Sequence, residues 1–343
     1  MNTTNSFNPD PSKPLSLLAV CPAYEGTPLT RAPTELHPNL LIKDETNRMA
    51  LNSFKALGGV YAVARILGSK LKHTNLHYAD EKPLDLASPE AKMLAASTCF
   101  VCASAGNHGL SVAAGARIFG AKARVYVSET VPENFAHRLS AAGAKVIRSG
   151  ATYEDSIAAA MGDADRTGAL HLADGSWPGY TERPALVMEG YTVLAEELRD
   201  QLTAMGTWPE TVFLQAGVGG FAAAIAYMIR ENWPEQPEIV IVEPTEAACL
   251  AASAATETVL TVEGAVSNMG RLDCKTPSLL AVEALSKLDV NYVQVTDREA
   301  QDSATALGQI GIETTPSGAA GFAALQQGSF RGTSLIVATE GNS

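Results

Sequence analysis

Lys55 lies in Leu51-Asn52-Ser53-Phe54-Lys55-Ala56-Leu57-Gly58-Gly59, an apolar stretch of small residues that opens a helix-like run from Val60 to Leu67. A lone lysine on a helix face is ordinarily solvated. One set beside an aromatic ring and small residues loses hydration, its amine pKa falls, and the neutral amine can form a Schiff base with a carbonyl. Two polar turns further along could serve such an amine. Ser104-Ala105-Gly106-Asn107-His108-Gly109 joins an apolar strand to an alanine-rich helix. Its main-chain amides could hold a carboxylate, and an ordinary turn with Ser or Asn capping the helix has the same appearance. Gly217-Val218-Gly219-Gly220 follows Val212-Phe213-Leu214-Gln215 and leads into a helix from Phe221. A glycine turn from strand to helix presents N–H groups and a helix dipole to a phosphate, although tight packing also selects such turns. The turn lacks the lysine of a nucleotide loop and no G-x-G-x-x-G fits, so a single phosphate monoester suits it best.

The elements that must position these turns alternate regularly. Strands are expected at 39–43, 98–103, 124–127, 145–147, 170–173, 211–215, 238–242, 292–295 and 334–338. Helices are expected at 53–67 with Gly68 just past the end, and at 109–119, 133–142, 153–165, 184–205, 221–231, 276–285, 297–307 and 316–326. The strand runs are too apolar for one wet face. Alternation of that kind predicts an α/β chain with parallel-rich twisted sheets flanked by helices. Residues 1 to about 15 read as a loose arm, and 70–93 as a charged connecting segment, partly helical.

The 343 residues suffice for two domains with sizeable cores. A net charge of −12 gives no basic face for nucleic acid. No apolar run reaches membrane-spanning length, and the polar first residues carry no secretory signal. Cys21, Cys99, Cys102, Cys249 and Cys274 show no metal-ligand spacing, so no metal is expected. Cys99-Phe100-Val101-Cys102 reads as a buried strand, and reduced thiols in a cytoplasmic enzyme are the expectation. The sequence leaves open whether Cys249 and Cys274 pair.

Ser53-Phe54-Lys55, Ser104-Ala105-Gly106-Asn107-His108-Gly109 and Gly217-Val218-Gly219-Gly220, in that order, resemble the marks of fold-type II pyridoxal-phosphate enzymes, the tryptophan synthase β-like family. The resemblance covers roughly residues 25–343. Within the family the chain is most similar to the diaminopropionate ammonia-lyases, through Lys43-Asp44-Glu45, Asp174-Gly175-Ser176-Trp177-Pro178-Gly179-Tyr180, Leu214-Gln215-Ala216-Gly217-Val218-Gly219 and Thr339-Glu340-Gly341-Asn342. It implies a two-domain fold, with a large cofactor-binding domain at 1–95 and 175–343 and a small mobile domain at 96–174. It also implies a homodimer. The chain ends soon after Thr339-Glu340-Gly341-Asn342, so no regulatory C-terminal domain is expected.

Roles follow from the resemblance residue by residue. Lys55 would carry pyridoxal 5'-phosphate as a Schiff base and remove the Cα proton. Phe54 and Asn107 would contact the cofactor, Asn107 at the ring oxygen. Gly217, Val218, Gly219 and Gly220 would cradle the phosphate, and Thr339 would stand beside the pyridine nitrogen. Ser104, Ala105, Gly106 and His108 would contact an amino acid substrate, with a purely structural His108 as the other reading. Asp174 matches a carboxylate near the substrate, with helix or strand-end capping as its bland alternative. The implied reaction is an α,β-elimination on a β-substituted L-α-amino acid, giving a 2-oxo acid and ammonia. Ala105 departs from the pattern, because the ammonia-lyases carry an aspartate there. It predicts a preference for the L-isomer. It also keeps a β-hydroxy amino acid dehydratase open beside the ammonia-lyase, and a non-catalytic cofactor-binding protein is the reading of another class.

Overall fold

The computed structural model describes residues 7–21, 23–74, 86–328, 330 and 332–342. In chain order they form α1 (Ser12–Leu18), β1 (Leu29–Arg31), β2 (Leu40–Asp44), α2 (Lys55–Thr74), α3 (Pro89–Ser97), β3 (Cys99–Ala103), α4 (Asn107–Phe119) and β4 (Lys122–Val127). Next come α5 (Glu133–Ala141), β5 (Ala144–Arg148), α6 (Tyr153–Thr167), β6 (Leu170–His171), α7 (Glu182–Met205), β7 (Thr211–Gln215), α8 (Gly220–Asn232) and β8 (Glu238–Pro244). The chain closes with α9 (Cys249–Thr256), α10 (Leu279–Leu285), β9 (Asn291–Val295), α11 (Asp297–Gln309), α12 (Pro316–Gln327) and β10 (Ser334–Ala338).

The chain divides into two compact units, residues 1–54 with 174–343, and residues 55–173. The larger unit is built on a sheet ordered β1-β2-β10-β7-β8-β9, in which only the β1–β2 pair is antiparallel. Its core packs Leu40, Ile42, Phe213, Val240, Val242 and Ile336 of the strands against Ala319, Ala320, Ala323 and Ala324 of α12. Alanine on α12 lets the helix lie close to the sheet, as expected for strands covered on both faces. The smaller unit has an all-parallel sheet ordered β5-β4-β3-β6. Thr152 and Asp155 form a capping box at the start of α6, and Gly168 in the left-handed region ends that helix.

The expected parallel α/β architecture is present, with several differences in detail. Helix α2 runs through Gly68 to Thr74, because Leu67 and Leu71, one turn apart, are both buried. Burial of that stripe outweighs the roughly 1 kcal/mol that glycine costs in a helix interior. The expected loose arm contains α1, whose Pro14 and Leu18 are buried, and Phe7 packs edge-on against Tyr227. Residues 1–6 of that arm lie outside the described residues, as does the middle of the connecting segment, 75–85. The rest of that segment holds α3, capped by the Ser88 hydroxyl accepting from Ala91 N at 3.2 Å. Helix α10 begins at Leu279 rather than 276, since Pro277 precedes its cap residue Ser278.

A buried ion network in the larger unit fixes the lead-in to Lys55. Lys43 Nζ donates to Glu197 Oε2 at 2.7 Å, Thr27 O at 2.8 Å and Gln201 Oε1 at 2.9 Å. Arg48 donates from Nε to Glu45 Oε2 and from Nη1 to Glu197 Oε1, each at 2.7 Å. Burial opposes the Glu197 charge, yet hydrogen bonds from Arg48 and the charges of Arg48 and Lys43 hold its carboxyl below the usual range. The chain leaving this network is left-handed at Met49 (φ 49°), Ala50 (φ 54°) and Asn52 (φ 59°). Each such residue costs on the order of 1–2 kcal/mol. The network and the pairing of Asn52, Ser53 and Phe54 with residues 339–341 hold it in place.

Candidate active site

In the larger unit, β7 runs into the glycine turn and the turn into α8. Gly219 has φ +95°, open to glycine at low cost. A Cβ on it would stand 2.8 Å from Leu250 Cδ1 and 2.9 Å from Ala281 Cβ. One on Gly217 would stand 3.0 Å from both Arg271 O and Cys274 Sγ. Protein therefore closes these Cα positions, and the turn has only main chain to offer a ligand. The amides that open α8, a 13-residue helix, have no intrahelical acceptor. Such a cradle fits the phosphate monoester of pyridoxal phosphate. Cys249 and Cys274 both lie beside Gly217 and form no disulfide, with Cys249 Sγ 3.7 Å from Gly217 O.

The turn is fastened through Ser278 to Ser176, two residues after Asp174. Ser278 N donates to Val218 O at 2.9 Å, and Ser176 N donates to Ser278 Oγ at 3.1 Å. The Ser176 and Ser278 hydroxyls lie 2.7 Å apart, and Leu280 N donates to Ser176 Oγ at 2.8 Å. Asp174 is half-buried, and its carbonyl oxygen lies 3.8 Å from where a Cβ on Gly220 would stand. The rest of its motif is a tight turn with Trp177 and Tyr180 stacked at 4.4 Å and Gly179 at φ +83°. Behind the glycine turn, Glu243 accepts from Leu250 N and Ala251 N at 2.8 Å and so caps α9. Burial pushes its carboxyl up to about 7, against the lowering effect of those amides.

Phe54 and Thr339 share the larger unit. Phe54 N donates to Thr339 O at 3.2 Å, and the Phe54 ring packs 4.4 Å from Phe221 and 5.0 Å from Tyr191. Lys55 is the next residue, the first of α2 and of the smaller unit, and is half-buried.

In the smaller unit, β3 runs into the Ser104–Gly106 turn and Asn107 opens α4. Gly106 N donates to Ser104 Oγ at 3.2 Å. Gly59 lies against Ser111, and a Cβ on Gly115 would stand 3.0 Å from Val60 Cα and 3.3 Å from Val63 Cβ. The contacts advance together along α2 and α4, so the helices run parallel. Lys55 is one turn before Gly59, and Asn107 one turn before Ser111. The fold thus brings together the helix starts that carry Lys55 and Asn107. His108 is buried with Nε2 2.9 Å from Leu172 O, a bond that ties α4 to the chain beyond β6. Ala105 is half-buried and carries no titratable group.

Sequence reading missed Ser176 with Ser278, and the Lys43–Glu45–Arg48–Glu197 network. A charged residue inside the apolar run Leu40-Leu41-Ile42-Lys43 was the available signal for the latter. Among the described residues no cluster of potential ligands could hold a metal ion, and no helix is long and apolar enough to cross a membrane.

The chain is similar to known proteins. The chain is 33% identical over 271 residues to diaminopropionate ammonia-lyase of Escherichia coli strain K12, a match covering 78% of this chain and 65% of the relative, just under two thirds of its length. A probable D-serine dehydratase of Chromobacterium violaceum is 28% identical over 68% of this chain and 52% of its own length. The crystal structure of the Escherichia coli diaminopropionate ammonia lyase in complex with an aminoacrylate–PLP azomethine reaction intermediate superposes with a TM-score of 0.81 and 27% identity, covering 97% of this chain and 88% of that one. Residues 20–340 match the model of the pyridoxal-phosphate dependent enzymes, and the chain belongs to that family.

Proposed function

We propose that this chain catalyses an α,β-elimination on a β-substituted L-α-amino acid, releasing a 2-oxo acid and ammonia. With 2,3-diaminopropionate the products are pyruvate and two ammonia molecules. The observation that carries this reading is the Asp174 turn, fastened by Ser176 and Ser278 to the glycine cradle. It supports the reading by keeping the Asp174 main chain close to Gly220 in a chain similar to ammonia-lyases.

When bound, pyridoxal phosphate supplies an aldehyde that takes up amines and a ring that spreads the charge left on Cα. Lys55 Nζ would hold the cofactor and, when released from it, would take the Cα proton. Main-chain amides of Gly217, Val218, Gly219 and Gly220 hold the phosphate, Asn107 the ring oxygen, and Thr339 the ring nitrogen. Ser104, Ala105, Gly106 and His108 orient the substrate carboxylate. Asp174 carries a proton to the leaving β-nitrogen, which departs as ammonia rather than as a far poorer amide ion. Phe54 closes one wall against water. The domain at 96–174 moves in this reading, and the working unit is a cytoplasmic homodimer, a setting in which the five cysteines, none in a disulfide, stay reduced. Sedimentation of the holoenzyme as a monomer would remove the dimer.

Lys55→Ala should abolish the cofactor's lysine-bound absorbance band and turnover together. Retained turnover overturns the assignment. A β-hydroxy amino acid dehydratase is the second reading, favoured by the dehydratase relatives. Keto-acid release from L-diaminopropionate, L-serine, L-threonine and L-phenylserine separates the two, and turnover of the hydroxy substrates alone selects the dehydratase. Cofactor binding with no turnover of any of them selects the non-catalytic reading.

A further inference from the structure

Gln215 ends β7 one residue before the glycine turn, and its side chain is buried. Its amide nitrogen faces oxygen atoms throughout. Nε2 lies 2.9 Å from Gly318 O, 2.9 Å from Val337 O and 3.2 Å from Thr339 Oγ1, with Ser317 O further off at 3.5 Å. Turning the amide over would set its oxygen against two carbonyl oxygens, so the chemistry of the neighbours fixes which end is nitrogen. An amide nitrogen cannot accept a hydrogen bond. The Thr339 hydroxyl therefore cannot spend its proton on Gln215, and Gln215 is its one side-chain partner among the described residues. Meanwhile Gln215 Oε1 is buried with no hydrogen-bond partner among the described residues, and Gly321 leaves the room for it. A glutamine kept for packing alone would be replaceable by an apolar side chain without that desolvated oxygen.

We propose that Gln215 is a positioning residue that keeps the Thr339 hydroxyl a hydrogen-bond donor toward the cofactor's pyridine nitrogen, so that this nitrogen stays unprotonated. The proposal rests on the reading that Thr339 partners that nitrogen. No proton is transferred: Thr339 Oγ1 keeps its hydrogen and shares it with the ring. A carboxylate at position 215 would reverse the polarity. It would accept the Thr339 proton, leave a hydroxyl lone pair toward the ring, and favour a pyridinium.

The test uses holoenzyme loaded with pyridoxal phosphate labelled with 15N in the ring, and reads the 15N chemical shift and the cofactor absorbance. The native protein should give the signal of an unprotonated, hydrogen-bonded ring nitrogen. In Gln215→Glu at neutral pH the signal should move toward pyridinium. In Gln215→Met, which keeps the volume and removes the donor, the pH at which the ring nitrogen titrates should rise. Turnover should fall by about tenfold with KM changed less than about twofold, the loss of one hydrogen bond's worth of orientation. Gln215→Met keeps the proposal open to refutation if Gln215→Glu does not fold. Thr339→Val separates the two ideas. If it leaves the ring signal unchanged, Thr339 is not the partner and the underlying reading fails. If Thr339→Val moves the signal while Gln215→Met and a folded Gln215→Glu do not, the proposal fails alone.

Discussion

Each unit holds one of the two strand-to-helix turns, and the two are built on opposite principles. The turn of the larger unit, Gly217–Gly220, has a left-handed residue and is closed behind by residues 250, 271–274 and 281. The turn of the smaller unit, Ser104–Gly106, has an ordinary backbone: Gly106 lies at φ −106°, and no residue from 104 to 109 is left-handed. The first can offer a ligand only main-chain amides, in a fixed geometry. The second offers side chains, which can change while the turn keeps its shape. In the proposed function, cofactor binding is thus assigned to backbone geometry in one unit, and substrate preference to side-chain identity in the other.

The strongest way to break this contrast is Gly219→Val. A β-branched residue at φ +95° costs about 1–2 kcal/mol in backbone strain, and its Cβ would meet Leu250 and Ala281 below 3.0 Å. Overpacking adds about 1–3 kcal/mol. Together they should weaken pyridoxal phosphate binding on the order of 100-fold, read by fluorescence titration of the apoprotein. Gly106→Ala should change that affinity less than about threefold. Comparable losses from both would show that the turns do not differ as argued.

Glu243 gives a smaller, pH-dependent version of the same test, because it caps α9 where Leu250 backs Gly219. Burial raises its carboxyl from 4.5 to about 7 in the folded chain, with Cys249 and Tyr292 as its titratable neighbours. The folded state then binds the extra proton between those values. Its contribution is fully present below about pH 4.5 and is lost as pH rises through about 7. The loss is about 3 kcal/mol for a rise of this size. Glu243→Gln still accepts one α9 amide and carries no charge, so its unfolding free energy should fall less than the native chain's between pH 5 and pH 8, by about that amount. Parallel curves in urea titrations across this range would remove Glu243 from the support of the turn.

The same contrast explains what could be read from sequence. Val212-Phe213-Leu214 is apolar because both faces of β7 are covered, and glycines after such a strand mark a close approach. Local pattern sufficed for the turns and for most strands. The ion network was hidden, since Arg48 and Glu197 meet across 149 positions and neither residue type signals its partner. Ser278 was hidden for the same reason, 102 positions from Ser176. The end of α2 was misplaced because a glycine weighs locally against a helix, while the burial of Leu71 that overrides it is a property of the folded unit.

Ala105→Asp probes the side-chain half of the contrast, with the smallest expected effect. Position 105 sits in a turn with unstrained backbone, so an aspartate should be accommodated with stability changed by less than about 1 kcal/mol. It would add to the smaller unit's turn a carboxylate that can take a proton, where the methyl of Ala105 cannot. Lys55 then ceases to be the one base assigned to the Cα proton, and an enantiomer that presents this proton to the other group gains a route. Turnover of D-diaminopropionate relative to the L-isomer should rise about tenfold, the scale of a weak general base. Cofactor affinity should stay within about twofold, because the phosphate cradle in the other unit is unchanged. A rise in D-turnover without a change in affinity would confirm that preference resides in this side chain. Loss of cofactor binding instead would mean that the Ser104–Gly106 turn is structural to the cofactor site, and that the division of labour between the two turns is wrong.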